Sequence, residues 1–555
     1  MFSRVSVSFA IALPMLIAAC SGSGDGPNDQ GKGGSQTDAG APNEASGGTG
    51  STASGGKGQQ TGGKTGKGGA TNAPDPSEAG EQGLGGSAGA PQEPSDGGAP
   101  PQEPSEGGSA GKPQPPAQGG TAGSGSGSGG SAGNPPVSSA SRFFLSTPSS
   151  TNTVAPKVVL DSRGGVHVAY PAYVGGKAFY AYCANNCTGM NNFKVVELAV
   201  GDSIANVALA TTTDGKPRMI LSEFDKAYYA SCDSQCTTRA GWTLTPVYEH
   251  DNDMEVTGQA LALDSKGRAR FLMHTYVAFL GVQQKTPQTL LGSCDSGCND
   301  ADNWSFSKIA DDIWQYPEAK FDSKGRLQVV AAQIVFTEGV PNDKYVAYAR
   351  CDAECDDASA WLSYPLGTLY EDTVVKPSLS LALTANGDAR LAAIVEDADE
   401  TTPDGRLLAY AECKGECASI DDWTPVLISQ NRAIRNGVSL ALDAGRPRVA
   451  FTLDYNIGVY HCNENCTNND WQLAEVEFAR NLPADDIFLF PGCSAGAWFL
   501  DSPSIAMSSD GSLRVGYRAY DVSGTTQPPI DPTKPRCKTG LDFTWSRFAA
   551  IPAVK

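Results

Sequence analysis

Seven times between Pro156 and Tyr517 the chain runs from apolar residues into a short polar turn and back into apolar residues. Three copies are PKVVLDSRGGVHVAY from Pro156, ALALDSKGRARFLM from Ala260 and VSLALDAGRPRVAF from Val438. The others begin at Val207, Ala319, Leu379 and Ser504. Runs this short, bounded by Asp, Asn and Gly, predict two β-strands joined by a tight turn. Gly164, Gly215, Gly267, Gly325, Gly387, Gly445 and Gly511 stand where such turns need a positive φ. A second pattern follows the first six copies: a short aromatic-rich strand ending in Cys, three residues, a second Cys, and a few residues later an aromatic that opens another strand. Four short antiparallel strands per unit, with 51 to 66 residues from turn to turn, predict propeller blades. The expected fold is all-β, a seven-bladed β-propeller of four-stranded antiparallel blades over residues 141–555.

The second pattern carries Cys183 with Cys187, Cys232 with Cys236, Cys294 with Cys298, Cys351 with Cys355, Cys413 with Cys417, and Cys462 with Cys466. Thiolates so spaced can form half of a zinc site, but a closed structural site takes four ligands and a ring of blades keeps the pairs apart. Disulfide staples are the expectation, with no structural metal or cofactor. The aromatics that follow are Phe193, Trp242, Trp304, Trp361, Trp423 and Trp471. The seventh unit has Cys537 and Trp545 without a second Cys at that spacing, so Cys537 is expected to pair with Cys493 in the insertion before the last blade. An aromatic used once per blade at a fixed position reads as packing between blades, ahead of a sugar platform. Ser141-Arg142-Phe143-Phe144-Leu145 resembles the Trp545-Ser546-Arg547-Phe548 strand and is expected to lie beside the last blade and help to close the ring.

The N-terminus adds a location. Arg4 precedes an apolar run from Val5 to Ala19, too short for a retained bilayer span and suited to an export signal over residues 1–20. The run closes with Ile17-Ala18-Ala19-Cys20, which resembles a bacterial lipobox and implies Cys20 as a lipid anchor. Ser21 in place of Asp implies, by the same resemblance, the outer membrane. Residues 21–140 are Gly, Ser, Ala, Pro, Gln and Thr with almost no large apolar side chains, so a disordered tether with a reach of roughly 60 Å is expected.

Charge narrows the partners. The eleven acidic and five basic residues of the linker, with Arg4, leave −15 of the total −20 on the folded part. A phosphate-binding surface needs a basic face, so nucleic acid is not an expected partner. No nucleophile elbow, His-Glu metal motif or phosphate loop occurs, and His167, His250, His274 and His461 are the only histidines.

The pattern LALDSKGRAR with a later aromatic strand and Trp resembles sialidase-like (BNR-type) propeller repeats, and its Cys-stapled form resembles repeats of myxobacterial-type lipoproteins. That resemblance covers about three quarters of the chain and implies a fold shared by hydrolases, lectins and scaffolds. A sialidase would require an arginine triad, an acid or base Asp, and a Tyr activated by a Glu. Arg218, Arg270, Arg390, Arg448 and Arg514 instead recur at one strand position, with His167 and Gln328 in two blades, which marks a structural position.

Exceptions to the repeat are therefore the candidates for function. The loops between blades and between second and third strands hold Tyr248, Glu249, Asp251, Asp253, Asp311, Asp312, Trp314, Tyr316, Tyr370 and Glu371. Aromatic faces stack on sugars, while clustered carboxylates accept hydroxyl hydrogen bonds or coordinate Ca²⁺. Solvated acidic loops would look the same. The expected function is a monomeric, non-catalytic binding module on an outer-membrane lipoprotein, its ligand a glycan or an envelope protein. A glycan hydrolase using carboxylates among Glu249, Asp251, Asp253, Asp311 and Asp312, or a purely structural envelope component, are the alternatives.

Overall fold

The computed structural model describes residues 140–554 apart from 148–152, 173–175, 202–203, 205, 224–225, 250–254, 277, 280–281, 284–286, 338–339, 370–377, 398–404, 430–433, 469, 483–497, 522–532 and 534–542. Cys20, Asp251, Asp253, Tyr370, Glu371, Cys493 and Cys537 lie outside the described residues. Seven four-stranded antiparallel sheets follow one another. Their first strands are Lys157–Leu160, Asn206–Thr211, Glu255–Leu263, Ile313–Phe321, Leu379–Leu383, Ile434–Asp443 and Trp498–Met507. Residues of all seven first strands line one cavity, which places those strands around a common axis. The sheets are blades 1 to 7 of a propeller.

Each turn between first and second strands forms as the Asp and Gly pattern requires. The seven turn glycines have φ between 80° and 86°. In blade 4 an Asp322 carboxylate oxygen accepts the backbone N–H groups of Lys324 and Arg326, both at 2.9 Å. Asp161 and Asp264 close their turns in the same way. A short polar side chain that bonds its own backbone favours the turn over a continuing strand.

The last blade departs from the order of the chain. Its sheet runs Trp498–Met507, Leu513–Asp521, Phe543–Ile551, and then Ser141–Phe144 from the other end of the folded region. Phe143 pairs with Phe548 and Arg142 with Ala549, as the likeness of the two segments suggested. Trp545 therefore stands on the third strand and is not the outer-strand aromatic of the seventh unit. A third strand whose outer neighbour is supplied by a distant segment has no hairpin to staple, which explains why the seventh unit lacks the local cysteine pair.

The core is divided into seven buried clusters, each built by two neighbouring blades. At five junctions an aromatic of one third strand meets the outer-strand aromatic of the next blade. Tyr180 lies 4.7 Å from Trp242, Tyr229 5.2 Å from Trp304, Tyr348 5.2 Å from Trp423 and Tyr410 4.9 Å from Trp471. Phe548 and Phe193 make the same contact at 5.2 Å between blades 7 and 1. In blade 3 the equivalent of these tyrosines is Leu291, and Trp314 fills the place beside Trp361 at 5.6 Å. The recurring tryptophans are thus packing residues.

Candidate functional site

Strand order divides the propeller into two faces. The turns between first and second strands and the links between third and fourth strands emerge on one, and the remaining loops on the other. On the first face all six local pairs are disulfides: Cys183–Cys187, Cys232–Cys236, Cys294–Cys298, Cys351–Cys355, Cys413–Cys417 and Cys462–Cys466. Each is followed closely by a single 3₁₀ turn, or in the sixth case runs into one, an element that strand periodicity does not announce. The Trp242, Trp304, Trp361 and Trp471 indole N–H groups donate to the carbonyl of the second Cys at 2.8–3.0 Å. The repeated arginines hold the other end. Arg218, Arg390 and Arg448 each donate to the carbonyl of their own blade's first Cys at 2.9 Å. Arg448 is 1% exposed. These three arginines tie the strand ends to the staples of their own blades.

The turn carboxylates are committed too. Burial works against ionisation of Asp322, but the Arg326 backbone and guanidinium and the Gln328 amide outweigh it and hold the carboxyl below the usual range. In blade 1 burial lowers His167, with Asp161 opposing; the two lie 3.3 Å apart. Burial takes His274 down to about 3, against an opposing hydrogen bond with the Trp314 backbone.

The loop face carries the described binding candidates. Glu249 pairs with Lys226 at 2.9 Å and Asp311 with Lys308 at 2.5 Å, both at exposed positions. Asp312 accepts from the Gln333 amide at 2.8 Å. Tyr248 is half-buried with its ring 4.7 Å from Phe306, and burial raises its hydroxyl pKa. Trp314, expected to present its face to a ligand, is 2% exposed because Leu291 leaves room for it in the core. Tyr316 is half-buried at φ 48°, in a bulge where Gln315 and Glu318 shift register against the second strand. Among the described residues no three His, Cys, Asp or Glu side chains form a group able to hold a metal ion.

A different cluster assembles where blades 6 and 7 meet on this face. The Tyr455 and Phe499 rings are 4.2 Å apart and Phe499 and Tyr520 5.6 Å. The Arg435 guanidinium lies 4.9 Å from the Tyr455 ring and that of Arg518 4.5 Å from Tyr520. Asp501 receives Arg518 in a two-point ion pair at 2.8 and 2.6 Å. All three rings and both guanidiniums are half-buried. The run is three rings long with a cation over each end. Tyr455 stands in a two-residue turn with Asp454, at φ 60° and 45°. An aromatic where Gly or Asn is the easy choice is the one sequence signal that points here. The other members come from separate strands and meet only in the fold.

The axial cavity has a volume of about 130 Å³. That is below the 300–1,000 Å³ typical of small-molecule pockets. At one tier of the channel the seven first strands present Lys157, Ala208, Ala260, Glu318, Ser380, Ser439 and Ser504.

No protein-family model matches the chain, and no curated protein does. Solved structures similar to it include polysaccharide lyase Uly1, at 9% identity and TM-score 0.40 over 72% of this chain and 90% of that one. A protein of unknown function from Dyadobacter fermentans matches at 11% identity and TM-score 0.38 over 74% and 98%. An α-L-arabinanase from Penicillium chrysogenum, complexed with arabinobiose, matches at 11% identity and TM-score 0.36 over 60% and 96%.

Proposed function

We propose that this protein is an envelope-anchored, non-catalytic glycan-binding module that engages its ligand on the loop face at the junction of blades 6 and 7. One observation carries the reading: Tyr455, Phe499 and Tyr520 form a continuous run of rings with Arg435 and Arg518 over its ends. Aromatic faces stack on the apolar faces of sugar rings, and guanidiniums suit hydroxyl and carboxylate substituents. In this reading Cys20 holds the chain at the outer membrane and the tether keeps the propeller clear of it.

The test is a glycan array probed with the full chain, in the presence and absence of Ca²⁺, followed by product analysis of any glycan retained. Retention of uronic-acid-bearing or other acidic glycans, reduced about tenfold or more by Tyr455→Ala or Phe499→Ala, is the expected result. Retention unchanged in both variants would remove the cluster from the reading. Cleavage of the glycan would replace binding by hydrolysis. Release of the protein from membranes by Cys20→Ser tests the anchor separately.

A further inference from the structure

The axial tier divides into two unlike halves. Successive blades hand hydrogen bonds around the channel: Val158 N–H donates to Ser504 at 3.0 Å, Ile505 to Ser439 at 3.1 Å and Leu440 to Ser380 at 2.9 Å. Leu381 N–H donates to Glu318 at 2.8 Å, and the Ser380 hydroxyl donates to the same carboxylate oxygen at 2.9 Å. In every case the acceptor is the channel residue of the preceding blade. The alternation of an antiparallel ladder points the equivalent N–H groups of Leu209, Leu261 and Ala319 the same way. They face Lys157, Ala208 and Ala260. An ammonium donates and an alanine side chain does neither, so none of the three can accept. Blades 4 to 7 thus complete their own ladder, while blades 1 to 4 line the same cavity with Lys157 and with three backbone N–H groups that meet no side-chain acceptor.

We infer that this half of the channel is a binding site for one small oxyanion, a carboxylate or a tetrahedral anion such as sulfate. Backbone N–H groups that meet no side-chain acceptor, beside a lysine, are donors an anion can use, and hydrogen bonds to an ionised acceptor are about twice as strong as neutral ones. The cavity volume of about 130 Å³ is enough for an ion of this size. The remaining charged groups on the cavity are Lys320, exposed at one edge, and Glu318, whose bonds to Ser380 and Leu381 draw it to the far side. The site is independent of the aromatic cluster.

The experiment is a titration of the full chain, labelled with ¹⁵N-leucine and ¹⁵N-alanine, with formate and separately with sulfate, against chloride at equal ionic strength. The amides of Leu209, Leu261 and Ala319 are expected to move and saturate together, while those of Leu381 and Leu440, already bonded to side chains, stay. Saturation by formate alone assigns a planar carboxylate, by sulfate alone a tetrahedral anion, and by both a general oxyanion site. Lys157→Met should weaken the anion about tenfold or more. Glu318→Gln retains an acceptor for Leu381 and should tighten it. Ala260→Ser supplies the missing acceptor and should take Ala319 out of the response. Three amides that do not move, that respond equally to chloride, or that titrate unchanged in Lys157→Met would overturn the assignment.

Discussion

Five of the seven blade junctions are closed by one third-strand aromatic against one outer-strand aromatic, and the junction of blades 3 and 4 uses Trp314 to the same end. Between blades 6 and 7 the third strand offers Val459 and the outer strand is the N-terminal segment, which has no tryptophan. There Glu477 of blade 6 receives Arg547 of blade 7 in a two-point ion pair at 2.6 and 2.7 Å. The Tyr517 hydroxyl donates to the same carboxylate, and Arg547 lies 4.5 Å over Phe144 of the closing strand. Arg547 is 1% and Glu477 6% exposed. Ring-on-ring contacts tolerate exchange among blades, as Phe for Trp and Trp314 for a Tyr illustrate. A buried charge tolerates only its own counter-charge. The N-terminal strand that closes the ring therefore lies over a buried ion pair between blades 6 and 7, a contact less easily exchanged among blades than a pair of rings.

This contrast can be broken in five ways. The largest effect is expected from Glu477→Gln, which leaves Arg547 buried without its counter-charge; a loss of about 4 kcal/mol in denaturant unfolding checks it. Replacing the pair together, Glu477→Leu with Arg547→Met, should recover most of that loss at the cost of closure fidelity, read as oligomers on refolding. Acid should then act on the blade 3–4 junction, where His274 neighbours Trp314. Its folded pKa of about 3 lies below the unfolded value of 6.5, so the unfolded state binds the proton first. Stability is complete above 6.5 and falls as pH drops, by roughly 3 kcal/mol at pH 4. In His274→Leu that part of the pH dependence should vanish. Removing one staple with Cys232→Ser and Cys236→Ser should cost at most about 2 kcal/mol, since the closed loop is short. Smallest is Phe193→Leu, which removes the ring contact with Phe548 and no hydrogen bond, at about 1 kcal/mol beyond lost area.

The scaffold was legible because it is written once per blade. Turn glycines, staples and tryptophans recur in phase, so the tight turns, the disulfides and the packing between blades could be read without coordinates. Even the closing strand showed itself through the likeness of Ser141–Leu145 to Trp545–Phe548. Trp545 was misplaced because a strand order that wraps from the C-terminal end to the N-terminal one looks, along the chain, like an ordinary unit. Trp314 misled for a local reason: beside two aspartates it reads as a surface aromatic, and only Leu291, some twenty residues earlier, leaves the gap it fills. The cluster around Phe499 draws on five positions from two blades, and nothing in sequence order brings them together. The axial tier was hidden for another reason, since Lys157, Ala208, Ala260 and Glu318 acquire meaning only once the strand register sets them side by side with Ser380, Ser439 and Ser504.

The staples also bear on how the chain acquires its native state. Twelve described cysteines could pair in thousands of ways, yet every native partner is four residues away. A thiol so close meets its partner at far higher effective concentration than any other. For these six bonds oxidation can proceed hairpin by hairpin as each one emerges, in any order and without waiting for the ring.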